Sequence, residues 1–308
     1  MTSGGTTDAA AKSSASELVE DGRAKVNLTL RVVGRRVDGY HDLESVVAFA
    51  DCADRLSFVP GAELQLATTG PLAEACGEVA DNLVLKAARL LGERVPGLKT
   101  GAFTLHKVLP VAAGIGGGSA DAAAALRLLA RANGLAADDA RLIEVARLTG
   151  ADVPVCLASR ACVMTGVGEK LLPLKLPKLA CVLVNPRVAV ATKDVFRALG
   201  LRNGELLVGV TDVIQAIVWP EDGAQSSDWI EAFASETNDL EEPAIRIQPV
   251  IGEVLSALEE AGKARLVRMS GSGATCLAIF DDAAAADAAA GKIQLAYPQW
   301  WVHAGTLS

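Results

Sequence analysis

The sequence predicts an α+β protein of two domains, and three observations lead there. Strand-type and helix-type patterns are mixed along the chain without strict alternation, which disfavours a doubly wound parallel sheet. Hydrophobic residues make up 51% and charged residues 21%, enough apolar material to fill a core and close to an ordinary globular composition. The length of 308 residues exceeds what one domain usually holds.

Taken in order, the elements follow residues 1–20, which read as a disordered tail. Its start is mostly Gly, Ser, Thr and Ala with Asp8 and Lys12, and it lacks the apolar stretch of a signal peptide. Order is expected from near Gly22, where residues 24–33 (AKVNLTLRVV) alternate apolar and polar as a strand does. Asp38-Gly39 marks a turn, with strands expected over 43–49 and 54–59. Residues 82–91 carry apolar side chains at helical spacing, and Asp81 or Asn82 is available to cap them. A strand is expected over 102–108, then helices over 120–132 and 138–148, stopped by Asn133-Gly134 and Gly150. The second half predicts a buried strand at 180–184, a helix at 193–199, a helix at 245–261 and a strand–turn–strand at 265–280. A helix over 282–294 and a strand over 301–306 close the chain, while 204–227 has weak periodicity and no assignment.

Composition excludes several classes of function. Lys and Arg number 29 against 37 Asp and Glu, a net charge of −8 that disfavours a nucleic-acid partner. The longest charge-free stretch, residues 293–308, is sixteen long and contains Gln, Pro and His, short of the roughly 20 apolar residues that span a bilayer. Six cysteines show no CxxC and histidines number three, so zinc and redox motifs are unsupported. Thiols in apolar runs behave as small hydrophobes and fit a reducing cytoplasm.

The strongest chemical signal is 110–120, PVAAGIGGGSA, just ahead of a helix. Four glycines in five positions permit positive φ and let backbone N–H groups converge on an anion. The helix behind them adds its own unpaired donors, and Ser119 can cap it or meet a phosphate. P-loop, dinucleotide and protein-kinase signatures are all missing, so the loop is either another kind of phosphate binder or a flexible glycine loop with no ligand. On a strand, Lys25 and Asn27 share one face, able to hold a hydroxyl or offset phosphate charge; a solvated strand face fits the pair as well. Asp152, in GADVP, suits a general base or a turn. Residues 269–275, MSGSGAT, form a second Gly/Ser loop, which closes over phosphates or simply turns a hairpin. Gly39-Tyr40-His41 sets an aromatic ring and an imidazole beside a turn and says little alone.

As a set these pieces say more. Lys25–Asn27, the 110–120 loop and 270–275 stand in the order and spacing of the three motifs of the GHMP kinases (galactokinase, homoserine kinase, mevalonate kinase, phosphomevalonate kinase), which the chain resembles. AKVNLTLRVVGRRVDGYHDLESV, GIGGGSADAA and TGADVPVCL with its trailing GVGEKL are most similar to one branch. That branch acts on cytidine-diphosphate-linked methylerythritol in the non-mevalonate route to isoprenoid precursors. The resemblance runs from about Gly22 to the C-terminus and is weakest over 204–236.

The resemblance implies ATP-dependent phosphorylation of the substrate's 2-hydroxyl, with Mg2+ accompanying the ATP. It implies an active site in a cleft between an ATP-binding domain at 21–170 and a C-terminal domain at 171–308. The partner is then a small molecule, with no nucleic acid or membrane, in a cytoplasmic monomer or homodimer. Residue by residue, Asp152 is implied as the base, Lys25 as the cation that keeps it charged and stabilises the transferred phosphoryl, and Asn27 as a guide for the methylerythritol. Tyr40 and Phe196 are implied to sandwich the cytosine, His41 to bond its edge, and Thr192 to lie by the diphosphate. Around ATP it implies Asn82, Lys107, Pro110, Ala113, Gly114, Ile115, Gly116, Gly117, Gly118, Ser119, Ala120, Ser270, Gly271 and Gly273. A single serine, Ser119, follows the glycines where some relatives have two, and no Glu for magnesium can be placed. Two rival readings share the scaffold: a kinase of a simpler alcohol, which has no use for the Tyr40/Phe196 pair, and an ATP-dependent decarboxylase of the mevalonate route. Against a non-catalytic nucleotide binder speaks the joint presence of Lys25, Asn27 and Asp152.

Overall fold

Period-two burial builds the centre of the fold around one long strand. The structure, a computed structural model, describes residues 17–207, 219–221 and 223–308. Its first strands are β1 (Leu18–Asn27), β2 (Arg31–Arg35) and β3 (His41–Pro60). Along β3, Val47 and Phe49 enter one hydrophobic cluster while Val46, Ala48 and Ala50 enter another, the alternation a strand requires. One edge of β3 carries β2 and then β1, both antiparallel.

These strands correct the expected boundaries. The strand expected over 24–33 is two strands: Leu28–Leu30 leave the ladder, with Leu28 N bonded to Val46 O and Leu30 N to Thr237 O. The first begins at Leu18, inside the tail expected over 1–20, because Leu18 and Val19 pair with Phe58 and Ser57 and Glu20 binds Arg127 and Arg131. Residues 1–16 of that tail lie outside the described residues. The strands expected over 43–49 and 54–59 are the single strand β3.

The first helical layer covers that sheet. After β4 (Gln65–Thr69) come α1 (Leu83–Arg94), β5 (Gly101–His106), α2 (Gly117–Asn133), α3 (Ala140–Thr149) and α4 (Val153–Ala158). Asn82 is the residue that caps α1, its side chain accepting from Val84 N at 2.9 Å. The four helices bury Leu91, Leu126, Leu142 and Val155, among others, against Phe49, Phe58 and Phe103 of the sheet. β5 pairs with β3, and β4 runs parallel to β5 at the rim.

The second half extends the same sheet. It comprises β6 (Cys162–Gly166), β7 (Lys170–Pro173), β8 (Leu179–Asn185), α5 (Thr192–Leu199), α6 (Ser226–Ala234), α7 (Glu241–Ile247), α8 (Val250–Ala261), β9 (Leu266–Met269), β10 (Cys276–Phe280), α9 (Ala283–Ala296) and β11 (Trp301–Leu307). Strand order reads β4-β5-β3-β11-β8-β10-β9, so the last strand lies between the two halves. The helix expected over 245–261 is split at Pro249, which starts α8 and has no N–H to continue α7. Most of the unassigned 204–227 lies outside the described residues. The α+β class stands, since helices pack on an otherwise antiparallel sheet whose one parallel pairing among the named strands is β4 with β5.

Candidate active site

β1 turns Ala24 and Val26 into the core, where Leu28 just beyond it also lies, so Lys25 and Asn27 point the other way. Lys25 Nζ donates to Asn27 Oδ1 at 2.9 Å and lies 3.2 Å from Asp152 Oδ2. The lysine side chain is 5% exposed and the aspartate 36%, so the carboxylate faces open space while its cation is enclosed. Asn27 Nδ2 donates to Ser45 Oγ at 2.7 Å, which fixes the amide's orientation. Asp152 sits in the turn between α3 and α4, where its side chain makes no cap and faces Lys25 instead.

The two Gly/Ser loops meet over this strand. Ser270 Oγ donates to Gly114 O at 3.1 Å and accepts from Asn27 N at 3.0 Å, so one hydroxyl joins β1, the glycine loop and the 269–275 loop. Lys25 N donates to Ile115 O at 2.9 Å and Thr275 N to Ala113 O at 3.0 Å. Gly114, at φ +75°, is required twice over: a Cβ there would lie 2.5 Å from Ser270 O. Helix α2 then opens on Gly117 with Gly116 as a cap that offers no side chain. Its first N–H groups therefore lack internal partners and form an anion-seeking end. Asn238 Nδ2 holds the second loop, donating to Met269 O and Gly271 O at 2.8 Å each.

A cavity of about 500 Å³ lies among these parts. It is lined by Lys25, Asn27, Asp152, Ala113, Gly114, Gly116, Gly117, Gly118, Ser119 and Gly271, with Thr192 and Phe196 on the far wall. A second cavity of about 540 Å³ shares Leu43, Ala151, Val167 and Phe196 with it and runs out to Tyr40, His41, Lys193 and Arg35. Here the rings of His41 and Phe196 stack, centroids 4.3 Å apart. Burial, and then the charge of Arg35, push the His41 imidazole below its ordinary range, so it is neutral at pH 7. Its Nε2 is buried with no hydrogen-bond partner.

Comparison with known proteins shows the family. The family profile described as the GHMP kinases N-terminal domain matches residues 82–160, and the GHMP kinases C-terminal profile matches 221–299. The chain is 72% identical to the 4-diphosphocytidyl-2-C-methyl-D-erythritol kinase of Bradyrhizobium diazoefficiens over 94% of this chain and 98% of that one. It is 73% identical to the kinase of the same name from Nitrobacter hamburgensis, over 95% and 96%. The chain belongs to the 4-diphosphocytidyl-2-C-methyl-D-erythritol kinase family of the GHMP kinases. A crystal structure of 4-(cytidine 5'-diphospho)-2C-methyl-D-erythritol kinase matches with TM-score 0.74 and 34% identity, covering 94% of this chain and 99% of that one. A homoserine kinase from Cytophaga hutchinsonii shares the fold at TM-score 0.65 and 17% identity, covering 93% and 95%. As a member of this family the chain is an ATP-dependent kinase.

Several residues expected around ATP in this kinase do not line the cavity. Lys107 is 2% exposed and bonded to Asp54 and Asp121, so its ammonium does not reach the cavity. Asn82 is spent on capping α1, although its neighbour Leu83 lines the cavity. Pro110, Ile115, Ala120, Ser270 and Gly273 support the loops from behind, with Ile115 and Ser270 fully buried. Tyr40 and Phe196, the expected sandwich, both line the second cavity; Phe196 also stacks on His41, and Tyr40 is 64% exposed. Residues that sequence reasoning missed include Ser45, Asn238 and Ser272, whose Oγ is 2.8 Å from Thr192 Oγ1. Only Ser272 carried a signal, its place inside MSGSGAT.

Proposed function

We propose that this chain transfers the γ-phosphoryl group of ATP to the 2-hydroxyl of 4-diphosphocytidyl-2-C-methyl-D-erythritol, releasing ADP. The observation that carries the reading is the joined pair of cavities, one walled by the glycine loop and the Lys25–Asp152 pair, the other by stacked aromatic rings. A substrate with a nucleotide at one end and an alcohol at the other fits that plan. A simpler alcohol would leave the second cavity unfilled.

Phosphoryl transfer asks a protein mainly for positioning and charge stabilisation. Asp152 takes the hydroxyl proton at its open carboxylate. Lys25, 3.2 Å from it, offsets the negative charge of the transferring group. Asn27, held at both ends of its amide by Lys25 and Ser45, orients the alcohol. The glycine loop and the start of α2 present fixed backbone donors to the ATP phosphates, so little rearranges during the reaction. Neutral His41, with Nε2 unpartnered, suits the polar edge of a cytosine, and Phe196 its face. Thr192 and Ser272, linked to each other, border the path between the two ends.

Magnesium fits this site as a companion of ATP. No cluster of three metal-ligating side chains exists among the described residues, and Asp152 is the one carboxylate among the cavity-lining residues. That suits a hard cation that keeps its waters and binds chiefly through phosphate oxygens, with the Ser119 hydroxyl as protein ligand. Bound there, it would neutralise phosphate charge. The same reading takes the enzyme to work in the cytoplasm as a monomer or homodimer, its two domains divided near residue 170. No helix among the described residues is long and apolar enough to cross a membrane.

The test is direct. Purified protein with Mg-ATP and the cytidylyl substrate is expected to yield product heavier by one phosphoryl group with equimolar ADP, read by mass spectrometry. ATP binding without such product would reject the alcohol named here.

A further inference from the structure

Beneath the glycine loop lies a group of charges for which the phosphoryl-transfer chemistry has no use. Lys107 Nζ donates to Asp54 Oδ2 at 2.5 Å and to Asp121 Oδ2 at 2.8 Å, with side chains 2%, 0% and 4% exposed. Asp54 comes from β3, Lys107 from just beyond β5, and Asp121 from near the start of α2. The other Asp54 oxygen accepts from Val108 N at 2.6 Å and Leu109 N at 2.9 Å, the residues that lead into the loop. On the far side, a Cβ built on Gly117 would lie 3.2 Å from Lys107 Nζ. The residues entering the loop and the residues leaving it are thus tied to one buried cation.

We propose that Lys107, Asp54 and Asp121 are positioning residues for ATP, a buried ionic seat that sets the spacing between the two ends of the phosphate loop without touching the nucleotide. The inference rests on the kinase activity of the family and not on which alcohol is phosphorylated. Burying three charges is an expensive way to stabilise a core, and apolar side chains often do as well. What charges add is direction, because each hydrogen bond fixes an angle as well as a distance. Burial raises the Asp121 carboxyl to about 7; Lys107 opposes the rise and Asp54 adds to it. Burial lowers Lys107, but the two carboxylates outweigh it and hold the ammonium charged. Gly22 of β1 packs behind Asp121, where a Cβ would lie 2.9 Å from Oδ1, an atom with no hydrogen-bond partner.

That last contact supplies a variant remote from the nucleotide. Gly22 is not among the residues lining either cavity, so Gly22→Ala reaches ATP only through Asp121 and the Ala120–Asp121 backbone beside it, where its Cβ would lie 3.2 Å from Ala120 C. Its KM for ATP is expected to rise at least fivefold with KM for the alcohol within twofold of wild type. Asp121→Ala should raise KM for ATP at least tenfold, and Asp121→Asn, which keeps the acceptor, should restore it to within threefold. Thermal melts establish that each variant is folded; should Asp121→Ala lose its cooperative melt, Gly22→Ala decides. Folded variants with wild-type KM for ATP, or with both KM values raised alike, overturn the proposal. If wild-type protein ignores the cytidylyl alcohol, the function proposed above is wrong. Calorimetric binding of a non-hydrolysable ATP analogue then reads the same fivefold and tenfold losses.

Discussion

Lys25 and Asp152 divide one task between an enclosed cation and an open carboxylate, and single substitutions separate their effects. Asp152→Asn keeps the volume and removes the proposed base, so kcat should fall by about 10²–10⁴-fold. ATP affinity, measured by calorimetry, should stay within twofold of wild type. Phe196→Ala removes a ring that faces both cavities, and loss of base stacking is worth about 1–3 kcal/mol. KM for the cytidylyl substrate should rise roughly 5- to 150-fold by that measure, with KM for ATP unchanged. His41 supplies the pH dependence. Its pKa lies below the ordinary histidine range, so KM for that substrate should be flat above neutrality. It should climb as acid protonates the ring, and His41→Gln should flatten the profile. Lysine, asparagine and aspartate on short distinctive segments could be singled out from sequence. The partners of Lys107 could not, because Asp54 stands 53 residues away and nothing local announces the pair.

At the scale of elements, glycines with forced conformations are the most sensitive points. Gly114→Ala puts a methyl group at φ +75° and within 2.5 Å of a carbonyl oxygen in the facing loop. The left-handed conformation alone costs about 1–2 kcal/mol, so ATP affinity should drop about tenfold or more as the two loops separate. Sequence patterns located most helices because their caps and stops are local: Asp282 caps α9 and Gly134 ends α2. They divided β3 at residues 50–53, a stretch that contains the carboxylate of Asp51 and adjoins that of Asp54. Each carboxylate there has a remote partner, Asp51 with His303 and Thr306 of β11, Asp54 with Lys107. Helix α4 was missed for a related reason, six residues with Pro154 near its start being too short for a periodic signal.

For the whole molecule, the α+β class was legible because composition and mixed patterns do not depend on tertiary partners. Strand order was not, since register and adjacency come from contacts between distant segments. β11 shows this best: Trp301–Leu307 pairs with Leu179–Asn185 along its length, and Leu307 pairs with Ala50 of β3. Ser308 exchanges both backbone hydrogen bonds with Phe49. Deleting residues 301–308 should therefore abolish the cooperative thermal transition of the whole chain, checked by circular dichroism.

The place of that strand also bears on how the protein is made. During synthesis β11 leaves the ribosome after every other named strand, and the seam between β3 and β8 stays open until it arrives. The first 300 residues must then wait in a partly assembled form, with hydrogen-bonding edges exposed to neighbours. A sequence fused directly behind Ser308 would begin at this seam, so an affinity handle belongs at the other end of the chain.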